Sequence, residues 1–252
     1  MVHEILLFAI GVLISGLGTI IGFGGGVFLV PILVAYGVGI KTAIPLALMA
    51  VFPAALISTA INLRKKNVDI HLGLLFEAPV VIGTIIGAWL TQFLDYTQLK
   101  LVFAAFTILL GITLLKNTGG SSSLKKLAKT KPIVNGVSLT ATTIYGTSAG
   151  ISSGLLGIGG GFLKTPVLMH AFGLEPKRAV ATALFMIAIT SAIGFSAHYL
   201  IKPIDSSLAL TITTSFALGA IIANKIDAKV SQGLRKKMIA GGLILAGAMT
   251  LI

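Results

Sequence analysis

The stretch GFGGGVFLVP at residues 22–31 recurs as GIGGGFLKTP at residues 157–166. In both copies a glycine cluster ends a long apolar run and opens a short one, with a proline five residues after the last glycine. The parallel continues beyond the prolines, because KTA at residues 41–43 is matched by KRA at residues 177–179. Weak internal repetition of this kind predicts a duplicated protein with two halves of similar architecture.

The composition is typical of an integral membrane protein. Hydrophobic residues make up 56% of the 252 residues and charged residues 10%, and the mean hydropathy of +1.03 lies well above that of soluble domains. Long continuous apolar stretches favour helices, since strands of a membrane barrel would alternate apolar and polar residues. The net charge of +12 lies in short loops between these stretches, so it indicates membrane topology rather than nucleic-acid binding. The expected fold class is an all-α polytopic membrane protein with the lipid bilayer as its partner.

Ten apolar segments are present, five in each half. The second and seventh are too short to cross a hydrocarbon core that requires ~20 helical residues. Short segments after glycine clusters, at matching places in two halves, indicate broken or re-entrant helices around a transport site. The segments lie at residues 4–22, 26–38, 42–63, 71–93, 97–115, 133–157, 161–172, 178–201, 206–223 and 236–252.

The basic residues predict how the halves are oriented. Of the 19 lysines and arginines, 15 fall in connections on one side of the membrane. The positive-inside rule makes that side cytoplasmic and places both termini outside. An odd number of segments in each half makes the repeat inverted. We therefore divide the chain into a first transmembrane repeat at 1–116, a cytoplasmic Gly/Ser/Lys linker at 117–132 and a second transmembrane repeat at 133–252.

The paired glycine motif resembles that of the sulfite exporter TauE/SafE family of membrane transporters. The likeness covers essentially the whole chain, because both motifs and the basic central linker are present in a protein of this length. The resemblance implies a multi-pass transporter in the plasma membrane of a prokaryote. It also implies that the substrate is a small anion, notably sulfite or an organosulfonate.

The glycine clusters are the candidate anion site. A helix that begins inside the membrane exposes unsatisfied N–H groups and the positive end of its dipole, and both attract an anion. Glycine permits the close backbone approach and the unusual dihedral angles that such a turn requires. The alternative is that the glycines serve close helix packing. The expected ligand-binding positions are Gly22, Gly24, Gly25, Gly26, Gly157, Gly159, Gly160 and Gly161.

Polar side chains near the clusters extend the candidate site. Thr19, Ser152 and Ser153 lie about one helical turn before the glycines, where each could bind substrate or bond to its own helix backbone. Lys164 would pair with the substrate if the seventh segment begins near the midplane, and would snorkel if it begins at the interface. Glu77, inside the fourth segment, is either a carrier of a coupling proton or a structural carboxylate.

These features predict a secondary transporter that moves a small anion by alternating access around a glycine-lined midplane site. We expect export, because outward movement of one negative charge gains ~2.3 kcal/mol per 100 mV. An anion channel that uses the same site is the alternative. The sequence leaves the choice between a monomer and a homodimer open.

Enzyme function is not expected. The chain has no cysteine, which excludes thiolate chemistry, and no Walker-type loop for ATP. The few polar residues in the apolar segments assemble neither a Ser–His–Asp constellation nor a metal-ligand cluster. We therefore predict no catalytic residue, no metal and no cofactor.

Overall fold

A computed structural model describes residues 2–116, 139–170, 172–201, 206–226 and 247–250. Every regular element within these ranges is helical, as the apolar segments predict. The proposed linker at 117–132 and residues 236–246 of the tenth segment lie outside the described residues. The helices are α1 (Val2–Ile21), α2 (Gly26–Ala35), α3 (Ile40–Arg64), α4 (Ile70–Leu90), α5 (Tyr96–Lys116), α6 (Leu139–Leu156), α7 (Gly161–His170), α8 (Pro176–Ile201) and α9 (Ser206–Ile226).

Five of these helices are long and apolar enough to cross a membrane. Their outer surfaces carry large apolar side chains, among them Leu13 at 68% exposure and Leu200 at 86%. A soluble protein would bury such residues, whereas a bilayer solvates them. The expected all-helical, multi-pass membrane fold is confirmed. The candidate spans are Glu4–Ile21, Ile40–Arg64, Ile70–Leu90, Pro176–Leu200 and Leu208–Ile226.

Both predicted short segments are short helices. α2 and α7 each have 10 residues, which at 1.5 Å per residue is ~15 Å, about half of a ~30 Å hydrocarbon core. Each ends at a glycine with positive φ, Gly37 (84°) and Gly173 (66°), where the chain reverses. The N–H of Val38 donates to the carbonyl of Leu33 at 2.9 Å and closes the end of α2. At the end of α7, the N–H of Leu174 donates to the carbonyl of Leu168 at 3.0 Å.

The long helices pack in pairs that join the two parts of the chain. α1 packs along α9, α4 packs along α6, and α3 packs along α8 at the centre. The first two pairs depend on glycine, because a Cβ on Gly83 would clash with the carbonyl of Thr147 and a Cβ on Gly219 would clash with that of Val12. α2 and α7 each pack on the long helix that follows them, α3 and α8. This arrangement places the start of both short helices inside the bundle.

Candidate functional site

The glycine clusters form two turns with the same backbone conformation. In the first glycine turn (residues 22–26), φ is 80° at Gly22, 80° at Gly24 and 87° at Gly25. In the second glycine turn (residues 157–161), the corresponding values are 73°, 74° and 73°. Side chains disfavour this left-handed region, so three glycines are required at the same places in both turns. The last glycine of each turn, Gly26 or Gly161, is the first residue of the short helix that follows.

The two turns contact each other in the interior. Thr165 Oγ1 in α7 donates a hydrogen bond of 3.0 Å to the carbonyl of Gly22. A Cβ on Gly161 would lie 2.6 Å from that same oxygen, and a Cβ on Gly26 would clash with the carbonyl of Gly157. Each turn therefore presents a carbonyl to the first helical residue of the other. All eight glycines named by the sequence are buried.

Lys164 is fully buried and pairs with Glu77. Its Nζ lies 3.1 Å from Oε1 and 3.0 Å from Oε2 of the carboxylate. The hydroxyl of Thr190 lies between them, accepting a hydrogen bond from Lys164 and donating one to Glu77. The side chains of Lys164 and Glu77 are 0% and 3% exposed, so the lysine does not snorkel. Two residues that the sequence indicates separately form one ionic group that joins α4, α7 and α8.

Hydroxyl groups near the second glycine turn are in two different situations. Ser152 donates to the carbonyl of Ser148 at 2.6 Å, within its own helix. Ser153 Oγ and Ser191 Oγ are buried and have no hydrogen-bond partner among the described residues. Ser191 Oγ lies 3.6 Å from the point that a Cβ on Gly159 would occupy. Ser153 Cβ lies 3.6 Å from the corresponding point at Gly160, so both serines border the second turn.

The remaining candidate, Thr19, lies buried near the end of α1. The buried His198 bonds to the backbone: its Nε2 lies 2.8 Å from the carbonyl oxygen of Gly154, a contact that joins α8 to α6. Within the described part of the chain, no three His, Asp or Glu side chains could hold a metal ion together.

Thr190 and Ser191 are the residues that the sequence analysis missed. Hydroxyl residues are common in apolar helices and usually bond to the carbonyl four residues earlier, as Thr84 does to Val80 at 2.8 Å and Thr107 to Phe103 at 2.8 Å. Nothing in the local sequence separates Thr190 from these. A position-by-position comparison of the halves would have indicated both residues, because α3 carries alanine at the corresponding Ala54 and Ala55.

Comparison with known proteins gives a consistent result. The family model described as Sulfite exporter TauE/SafE matches residues 7–250. The probable membrane transporter protein YunE of Bacillus subtilis (strain 168) is 28% identical over 254 residues, which cover 93% of this chain and 91% of that protein. A probable membrane transporter protein of Methanocaldococcus jannaschii is 29% identical over 251 residues, covering 92% and 88%. Sulfite exporter TauE/SafE family protein 3 of Arabidopsis thaliana is 30% identical over 111 residues, covering 42% and 23%. No solved structure matches.

Proposed function

The chain belongs to the sulfite exporter TauE/SafE family of membrane transporters, and from this premise we propose that it is a secondary transporter of a small anion such as sulfite or an organosulfonate. The family is one of transporters, not of enzymes. The observation that carries the proposal is that α2 and α7 both begin at glycine turns buried in the bundle. Two helices begin there inside the bundle, and the positive ends of their dipoles attract an anion without an exposed cation.

The two halves, 1–116 and 133–252 with the linker 117–132, are proposed to be inverted repeats. Helices α1, α2, α3 and α4 correspond in order to α6, α7, α8 and α9. Replacing each helix by its counterpart turns the contact of α1 with α9 into the contact of α6 with α4, so the packing supports the repeat. The contact between the turns is also preserved by the exchange, since each carbonyl faces the first helical residue of the other turn. Inverted repeats around a midplane site are a common architecture of secondary transporters.

We propose that the end of the bundle rich in lysine and arginine is cytoplasmic, in the plasma membrane of a prokaryote, with both termini outside. Arg178 Nη2 lies 3.4 Å from Asp69 Oδ2. This ion pair supports the assignment, because it joins the basic connection after α3 to the basic start of α8. The positive-inside rule then gives the orientation.

A carrier fits the closed contact better than a channel does. The turns touch and their glycines are buried, so a substrate can pass only after the turns separate. Alternating access separates such elements on one side at a time. An anion channel would need a continuous path through the same contact, and it is the alternative that the experiment below tests.

Glu77 is the proposed carrier of a coupling proton. Lys164 is the charged group that faces it within the described residues. A proton on Glu77 would release the ammonium to pair with an anion, so that anion and proton would move together. Acidification of the vesicle interior, driven by an anion gradient and absent in Glu77→Gln, is the expected result. Equal proton flux in both proteins would contradict this role for Glu77. No proton flux in the unaltered protein would also contradict it and leave transport driven by the membrane potential.

The experiment for the function itself uses purified protein in liposomes. Saturable uptake of labelled sulfite, accelerated by unlabelled sulfite inside, is expected for a carrier. Large unitary currents in planar bilayers would instead show a channel. Thermal unfolding of the detergent-solubilised protein with sulfite, sulfate, sulfonates and carboxylates then ranks the anions. Stabilisation by cations but by none of these anions would contradict the proposal.

A further inference from the structure

The contact between the glycine turns is itself a poor place for an anion. The carbonyl oxygen of Gly22 accepts from Thr165 there and lies against Gly161, and the carbonyl of Gly157 lies against Gly26. Carbonyl oxygens carry partial negative charge and would repel an anion placed between them. The contact is also too close for a Cβ, so it offers no volume for a ligand. While the turns are in contact, the outer flank of one of them is therefore the better place for an anion.

The flanks of the two turns differ in side-chain chemistry. Lys164, Ser153 and Ser191 border the second glycine turn. In the first half, the corresponding helices are α2, α1 and α3. The residues at the same distance from the ends of these helices are Leu29, Gly18 and Ala55. The flank of the first turn therefore has neither an ammonium nor a hydroxyl at these places.

The backbone N–H groups of the two turns also differ, and among the described residues more of them lack an acceptor in the second turn. In the first turn, the N–H groups of Phe23 and Gly24 both donate to the carbonyl of Gly18, at 2.8 and 3.1 Å. In the second turn, the carbonyl of Ser153 accepts from Gly157, at 2.9 Å. Within the described chain the N–H groups of Ile158 and Gly159, the counterparts of Phe23 and Gly24, have no acceptor, and the N–H of Gly160 lacks one as that of Gly25 does. Buried polar groups without partners are rare in proteins, and a cluster of them indicates a missing ligand.

We propose that the transported anion binds at the second glycine turn alone, as a small oxyanion. Its oxygens accept hydrogen bonds from Ser153 Oγ, Ser191 Oγ and the N–H groups of Gly159 and Gly160. Lys164 supplies the balancing positive charge, and Glu77 holds that ammonium while the site is empty. This inference rests on the proposed transport of an anion and adds which half of the protein binds it. Ser191 is the new member of the site, because the sequence analysis did not name it.

The test compares serine variants with a matched control. Ser153→Ala and Ser191→Ala each remove a buried hydroxyl that has no partner, so both should fold like the unaltered protein. Thr213→Val is the control, because Thr213 Oγ1 is also buried without a partner but lies on α9. Sulfite binding to the full chain in detergent is measured by titration calorimetry and by the shift in thermal unfolding temperature.

We expect each serine variant to weaken sulfite binding by about tenfold, the effect of ~1.4 kcal/mol, and Thr213→Val to change it by less than about twofold. Unchanged binding in both serine variants, with transport intact, would overturn the inference while leaving the function standing. Failure of the unaltered protein to bind or transport any anion of the panel would instead overturn the proposed function. Equal weakening by Thr213→Val would show a general effect of interior hydroxyls and would also overturn the assignment.

Discussion

The two glycine turns have nearly the same backbone and very different surroundings. We call Lys164, Glu77 and Thr190 the polar junction, and the corresponding positions Leu29, Thr213 and Ala54 the apolar junction. Both turns have positive φ at three corresponding glycines. A side chain at any of these positions would strain the backbone. The ion pair lies beside the second turn and has no counterpart beside the first, which shows that the turn's geometry does not require the ionic group. The ionic group is therefore not needed for the conformation of the turn itself.

The largest effect is expected when a charge is placed in the apolar junction. Leu29 is fully buried, and α9 has threonine rather than glutamate at the corresponding Thr213. Leu29→Lys would bury an unpaired ammonium, which costs several kcal/mol even after relaxation. We expect loss of folded protein in detergent, measured by size-exclusion chromatography and thermal unfolding.

Leu29→Met is the matched control and should cost less than about 1.5 kcal/mol. Adding Thr213→Glu to Leu29→Lys should recover part of the lost stability, because it supplies the missing carboxylate. If Leu29→Lys alone unfolds at the temperature of the unaltered protein, the two junctions do not differ in polarity as the structure indicates.

The second-largest effect is expected when the positive charge of Lys164 is removed. Lys164→Ala leaves Glu77 buried without its cation, and breaking a buried pair in this way typically costs ~3–5 kcal/mol. We expect a large fall in the unfolding temperature together with loss of sulfite binding. Lys41→Ala removes an exposed lysine and should change neither quantity. Equal loss of anion binding in the two variants would contradict the role of Lys164.

A neutral double variant separates stability from function at the polar junction. Lys164→Met with Glu77→Gln removes both charges, and such replacements are often neutral for stability. We expect near-normal unfolding but no anion transport. Normal transport by this variant would show that the ion pair serves only to join α4 and α7.

The sequence predicted the short helices and the turns because their signals are local. Short apolar segments after glycine clusters, which the structure has as helices of 10 residues, can be recognised without knowing what packs against them. The pairing of Lys164 with Glu77 could not be predicted, since the two residues are 87 positions apart and meet only through the packing of α4 and α7. Comparison of the halves could indicate Ser191 only as a difference from Ala55, because an unpartnered hydroxyl and a helix-bonded one look the same in sequence.

A methyl group at the contact of the turns should have an intermediate effect. A Cβ on Gly161 would lie 2.6 Å from the carbonyl oxygen of Gly22 and 2.7 Å from Phe23 Cα, and backbone atoms cannot rotate away. Gly161→Ala should therefore force the turns apart and cost ~1–3 kcal/mol. We expect a strong fall in the rate of sulfite transport in liposomes. Gly26→Ala should do the same, because the contact is equivalent on both sides.

Gly173→Ala controls for the loss of a glycine as such. Its φ of 66° would strain an alanine, but nothing lies within 4 Å of the added Cβ. It should cost ~1–2 kcal/mol of stability and leave transport unchanged. A fall in transport for Gly161→Ala without one for Gly26→Ala would show that the two turns move differently despite their equivalent contact.

The smallest effect is expected at the exposed ion pair, which contrasts with the buried one in the polar junction. The side chains of Arg178 and Asp69 are 48% and 32% exposed, so water and salt screen their attraction. Arg178→Ala should lower stability by less than about 1 kcal/mol, measured by thermal unfolding at low and high salt. Asp69 is not a suitable target, because its carboxylate also caps α4 by accepting from the N–H of Leu72 at 3.1 Å. A loss for Arg178→Ala as large as that for Lys164→Ala would mean that burial does not decide the strength of these pairs, and the distinction between the junctions would then lose its physical basis.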